Sequence, residues 1–209
     1  GRLGKNALQS SLKGGIVFGV NLVFFVMAMR RTSAANAVMI GALQPVVLLG
    51  VAGPLFGEKP PKIVYFWSTI AMGGVAFFTY ASDTTGVATR QGDLLALIGM
   101  LLFSAYYVIS KQTREELDSM VYQLGLTLAA AVTIVPFAFA FGHGISPPTG
   151  NEWWPVILMA LLPGAGHWLT NYAHAHVPLV TMSLVNLLFT VVAPIYAWIL
   201  VEEKLGGAQ

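Results

Sequence analysis

The residues in this chain that could do chemistry are neutral amides, hydroxyls and imidazoles set inside long apolar runs. His167, Asn171 and His174 follow at i, i+4 and i+7, a spacing that puts all three on one helical face, with Gly164 extending it. Ser183, Asn186 and Thr190 repeat the pattern nearer the C-terminus, and Gln44 stands one turn from Gly41 in an earlier run. Asn21 is the amide of the first run, and Ser104, Tyr106 and Tyr107 bring hydroxyls and rings to the fourth. Such groups suit hydrogen bonding to a polar solute. The competing role is bonding between packed helices, worth about 0.6 kcal/mol on average in membranes; for Gly41 it is close helix packing. Tyr106 and Tyr107 are adjacent and face different ways, so one of them at most, with Tyr107 the candidate, is expected at a cavity wall. His174 and His176 fall near the end of their run, where a loop role is expected. His174-x-His176 lacks the further ligands a metal needs, so neither metal nor cofactor is expected.

What must position these groups is a set of helices in lipid. The chain is 56% hydrophobic and only 10% charged, against roughly a quarter charged in a soluble domain. A hydrocarbon core about 30 Å thick takes about 20 apolar residues per helix. Seven runs meet that need, at 12–29, 34–56, 62–81, 93–110, 120–141, 153–173 and 178–201. Of 11 basic and 9 acidic residues, only Lys13, Lys62 and Asp93 fall inside them, each within two positions of an end, where snorkelling is cheap. The connections carry turn chemistry: Thr32 or Ser33 as a helix cap, Gly57-Glu58-Lys59-Pro60-Pro61 as a stop, Trp153-Trp154 as an interface anchor. The fold class is therefore all-α and polytopic, with about seven transmembrane helices. Pro45, Pro136, Pro163 and Pro194 lie within runs as kinks or hinges.

Other classes fall away. A net charge of +2 with no basic stripe offers no nucleic-acid footprint, and zero cysteines exclude disulfides and thiol chemistry. Neither a Gly-x-Ser-Gly turn nor His-Glu-x-x-His occurs, so an intramembrane enzyme is not indicated and no catalytic residue is assigned. The partners left are the bilayer and a small-molecule substrate; oligomeric state is open. Lys and Arg collect seven on the side of the N-terminal tail and four on the other, which puts the tail of residues 1–13 in the cytoplasm.

The second and last runs resemble each other. An offset of 145 pairs Leu43 with Leu188, Val46-Val47 with Val191-Val192 and Glu58-Lys59 with Glu203-Lys204. It also pairs Gly41 with Asn186. Five spans separate the copies, so they cross the membrane in opposite senses, the inverted repeat on which many secondary transporters build alternating access. The segment Ala42-Leu43-Gln44-Pro45-Val46-Val47 through Leu55-Phe56-Gly57-Glu58-Lys59 resembles the fourth-helix signature of the EamA family of drug/metabolite transporters. Gly92-Asp93-Leu94-Leu95-Ala96-Leu97 through Ser104-Ala105-Tyr106-Tyr107 resembles the opening of that family's second repeat, and 178–204 its ninth helix. Glu202 departs from the Gly that often precedes the Glu-Lys pair. The resemblance implies a ten-helix parent of two inverted five-helix repeats, truncated here at both ends. Residues 1–81 would hold three helices of the first repeat, 82–91 the joining loop, and 92–209 the second repeat without its last helix. It implies a secondary transporter of small organic metabolites in the plasma or inner membrane, its substrate touched by Asn21, Gly41, Gln44, Tyr107, His167, Asn171, Asn186 and Thr190. A non-transporting membrane scaffold is the alternative.

Overall fold

A computed structural model describes residues 2–32, 34–82, 89–114, 117–141 and 147–186. The described residues form helices and connections, with no strand. In chain order they are α1 (Arg2–Met29), α2 (Ala34–Gly41), α3 (Gln44–Phe56), α4 (Lys62–Ser82), α5 (Arg90–Arg114), α6 (Ser119–Phe141) and α7 (Trp153–His174). The described start of a further helix, α8, covers 179–186. Four stretches, Gln9–Met29, Asn36–Phe56, Arg90–Arg114 and Ser119–Phe141, are long and apolar enough to cross a bilayer. At 21 and 22 residues, α4 and α7 also have the length, about 32 Å at 1.5 Å per residue.

The side chains left outside settle the solvent. Phe77 is 74% exposed, Val132 73%, Met159 71% and Trp154 67%, among a longer set of large apolar groups. On a water-soluble protein such a surface would aggregate; hydrocarbon solvates it at no cost. The chain is a multi-pass α-helical membrane protein.

Lipid supplies no hydrophobic drive between helices, so close approach must come from small residues. That is how α1 finds α5 and α6, its two most extensive partners. Gly15 lies so close to Ala129 and the Leu126 carbonyl that a Cβ would not fit, and Gly19 abuts Thr133 and Ala130 in the same way. Gly125 faces Ser11. The four-residue spacing of Gly15 and Gly19 meets that of Gly125, Ala129 and Thr133, a seam of small groups.

Two features depart from the sequence-based expectation. First, the run 34–56 is not one helix. Pro45 has no N–H to give, and around it the bonds tighten to i−3: Leu43 to the Ile40 carbonyl at 3.1 Å and Val46 to the Leu43 carbonyl at 3.0 Å. The helix breaks at Ala42-Leu43 and restarts as α3 with Pro45 in its first turn. Pro54, Pro136 and Pro163 sit in unbroken helices; Pro194 is outside the described residues. Second, the Thr32 hydroxyl donates to Asp93 Oδ1 at 2.6 Å and so ties the approach to α2 onto α5; Ser33, the other cap candidate, lies outside the described residues.

The bundle has two ends. At one, α3, α5 and α7 finish and α6 and α8 begin, around Glu58. At the other, α2 and α5 begin, around Asp93. Gly57 ends α3 with φ of 66°, in the left-handed region glycine favours, while Glu58 N–H returns to the Ala52 carbonyl at 3.3 Å. That reversal sets Glu58 at the rim of its end.

Candidate functional site

Gln44 opens α3 just past the break. Asn186 Nδ2 donates to its Oε1 at 3.2 Å, while Glu58 beyond the far end of α3 accepts from Leu179 at the start of α8. The two helices therefore run antiparallel, with their amides meeting part-way along. Gln44 is 2% exposed, and its Nε2 has no partner. Gly41, one turn away on α2, is exposed, and among the described residues nothing lies within 4 Å of where its Cβ would be. Among the described residues it therefore borders open space and has no close-packed neighbour. Asn186 is exposed too. A helix broken beside an amide, at a crossing of antiparallel helices, is the geometry in which transporters expose backbone and side-chain polar groups to solute.

On the other face of α3 lies a cavity of about 290 Å³, lined by Ala42, Pro45, Val46, Val64, Trp67, Ser68 and Leu184. Ala42, Pro45 and Val46 share one face of that segment at i, i+3 and i+4, and Gln44 lies on the opposite one. The amide pair and this mostly apolar cavity are thus separate places.

A second polar cluster forms around Asn171, which is fully buried. Its Oδ1 accepts from Tyr106 Oη at 2.9 Å and from Ser110 Oγ, and its Nδ2 donates to Gln123 Oε1 at 2.6 Å. Arg114 Nε donates to its backbone carbonyl at 3.0 Å. One residue of α7 thereby ties down α5 and α6. Sequence reasoning missed Ser110, Arg114 and Gln123. The signal was present: Tyr106, Ser110 and Arg114 follow at i, i+4 and i+8 on one face of α5.

Rings fill the space beside this hub. Phe18 packs against Tyr106 and against His167 at 4.8 Å each, Phe103 against Tyr106 and Tyr107 at 5.7 and 5.0 Å, and Tyr107 against His174 at 4.7 Å. Tyr106 and Tyr107 are both buried and pack as core aromatics. The loop role expected for His174 is wrong. It is 0% exposed, with both ring nitrogens unpartnered, because α7 continues to that residue and presses it onto α5; His176 is exposed.

Of the remaining sequence candidates, Asn21 gives its amide N–H to the Gly99 carbonyl at 2.7 Å, a buried bond joining α1 to α5. His167 is part-buried against Phe18. Thr190 and Glu203-Lys204 lie outside the described residues. Among the described residues, no group of three His, Asp or Glu side chains is placed to hold a metal. At the Asp93 end, the turn Gly150–Glu152 leads into α7. There Thr149 donates its backbone N–H and its hydroxyl to Glu152 Oε2 at 2.8 and 3.0 Å, and those bonds hold the Glu152 carboxyl below its ordinary range.

A lipid-facing bundle with a broken helix crossing an antiparallel one is an arrangement that membrane transporters use. The comparison with known families gives the narrower assignment: residues 90–209 match the EamA-like transporter family, and the chain belongs to it. No curated protein and no solved structure matches.

Proposed function

We propose that the chain is a secondary carrier of small organic metabolites, exporting or exchanging them by alternating access of two inverted repeats. The observation that carries this reading is the Gln44–Asn186 contact between antiparallel α3 and α8, with open space at Gly41 beside it. Repeat-related helices of transporters hold their substrate at such crossings, and the half-helix start of α3 adds its positive dipole end. The substrate site centres on Gln44, Gly41 and Asn186. Asn171 and Asn21 serve as helix ties in the conformation described, since their amides are spent on protein partners. The chain sits in the cell membrane with its N-terminal tail, and hence the Glu58 end, in the cytoplasm; Lys59, Lys62, Lys111 and Arg114 supply the basic bias there.

Solute exchange in proteoliposomes tests the reading. Gln44→Leu and Asn186→Leu each reduce exchange at least about ten-fold, the loss of one well-made polar contact of about 1.4 kcal/mol, while the protein still elutes as a folded species. Wild-type rates in both variants would remove the site. The described spans carry no acid deep in the bilayer, so exchange should be flat across a pH gradient. Steep proton dependence lost on changing His167 would overturn that part.

The scaffold alternative draws on the dry packing of Asn171. Introduced cysteines at Gly41 and Val185 separate the two readings: a carrier labels there with an aqueous maleimide and is protected by solute, and a scaffold is not.

A further inference from the structure

We infer that Glu58 is a latch that holds one end of the carrier shut, an inference that rests on the carrier reading above. Its carboxylate accepts the Leu179 backbone N–H at 2.6 Å and the Val180 N–H at 3.2 Å. These are donors in the first turn of α8, which have no carbonyl within their own helix to bond. Pro178, just before them, has no N–H to share the task. A carboxylate at a helix start is favoured by the partial positive charge there. The same carboxylate lies 3.8 Å from Lys111 Nζ of α5, the one salt bridge among the described residues. Lys111 also donates to the Val177 carbonyl at 3.0 Å and stands over the Phe56 ring at 5.5 Å. Three elements, the end of α3, the end of α5 and the start of α8, thus meet on one acid-base pair, and Glu58 reaches Leu179 across 121 residues of sequence.

What lies beneath the pair is a plug. Leu179, Leu48 and Ala52 are 0% exposed, and Tyr107, Val180 and Leu49 are at most 5% exposed. These side chains form one buried cluster, which fills the space between α3, α5 and α8 at this level. The pair itself is different. Glu58 and Lys111 keep 13% and 12% of their side-chain surface in contact with solvent, so each can exchange its protein partner for water as the helices part. Asn171 has no such alternative, being fully enclosed. The rim pair is a contact built to break; the hub beneath α7 is built to stay. Opening this end requires α8 to leave α3, and Glu58 is the group whose bonds that motion breaks.

The chain has no cysteine, so single reporters are clean. Ala52→Cys places a thiol in the plug, and Ala28→Cys places one in the buried cluster toward the Asp93 end. Both are read by the labelling rate with a membrane-impermeant maleimide added to proteoliposomes on the side of Glu58 and, separately, on the other side. Glu58→Ala should raise Ala52→Cys labelling from the Glu58 side about ten-fold or more and leave Ala28→Cys unchanged or slower from the opposite side. Glu58→Gln keeps an oxygen for one N–H but loses the charge, so it should fall between, as should Lys111→Met. Unchanged labelling in all three variants overturns the latch, as does an equal rise at Ala28→Cys, which would report general loosening. If Glu58→Ala does not insert stably, the two milder variants carry the test. Solute exchange on the same vesicles keeps the two readings apart. A labelling shift in a protein that exchanges nothing supports the closure and refutes the carrier; exchange with no labelling shift refutes the latch alone.

Discussion

The two ends of the bundle are closed by different means. At the Glu58 end, an ion pair, a helix start, a plug of aromatic and aliphatic side chains and the Asn171 hub are stacked in layers, and α7 and α8 are drawn in. At the Asp93 end, one carboxylate does most of the tying. Asp93 Oδ1 accepts from Thr32 and from Asn36 at 2.6 and 3.2 Å, and Gly92 lets α5 approach the Arg31 backbone too closely for a Cβ. There α7 leans away: residues 151–163 are all exposed, whereas Asn171 and His174 are enclosed. One helix is therefore held at one end and loose at the other. The difference teaches where motion should be cheap: on the proposed carrier reading the helices would pivot about the Asn171 level, with the lever arm toward the Asp93 end.

The strongest way to break that comparison is Asn171→Leu. It strands the Tyr106 and Ser110 hydroxyls in a dry place and takes a partner from the part-buried Gln123 amide. With buried polar groups costing about 1–3 kcal/mol each when unsatisfied, and partial relaxation, the loss should be about 2–4 kcal/mol. Unfolding in mixed detergent micelles measures it. A loss under about 0.5 kcal/mol would mean the hub is not the pivot, and the two ends are equally loose. Asp93→Ala should cost less, about 1–2 kcal/mol for the bonds of a part-buried carboxylate, and should free the start of α2 without disturbing α7. Amide exchange resolves the two: faster exchange at 34–40 in Asp93→Ala, and in Asn171→Leu at 167–174. If both substitutions loosen the same segment, the ends are coupled as one unit and the pivot is lost.

Much of the bundle could be read from the chain. Apolar runs of bilayer length, charges confined to their margins and Trp-Trp at an interface are properties of single segments, and each segment folded as its own composition required. Positions of the helix ends followed less well: α5 extends to Arg114 because Lys111 and Arg114 find carbonyl partners on α7 and the loop after it, which no local signal announces. The candidate site was legible in its residues more than in its contacts. Gln44 and Asn186 were picked out by depth and repeat offset, and they touch. Asn171 was read as either a cavity-wall group or a bond between packed helices, and it is the second; which partners it would find was not legible, because all three come from helices whose rotation no one-dimensional pattern records. Glu58 was visible as half of a repeated Glu-Lys motif. Its partners are Lys111 and a helix start 121 residues on, and contacts of that reach exist only once the chain is folded.

The smallest test lies at the loose end itself. Glu152 leads into α7, with its carboxylate accepting from Thr149 through the backbone N–H first and the hydroxyl second, and both bonds favour the charged form. A carboxyl whose folded-state pKa is depressed adds stability above its unfolded pKa and loses it as pH falls through the folded value. Acidification should therefore fray the start of α7, seen as faster amide exchange at Trp153 and Trp154, while the Glu58 end of the same helix keeps its protection at Asn171. Thr149→Ala removes the hydroxyl and leaves the backbone donor, so it should move the Glu152 carboxyl only part-way back toward its ordinary range, read by carboxyl-carbon NMR in bicelles. Because Glu152 is fully exposed, water competes for every bond it makes and the effect on the whole protein is slight. If acid instead unravelled α7 evenly from both ends, the helix would have no held end, and the contrast between a clamped and a loose terminus would disappear.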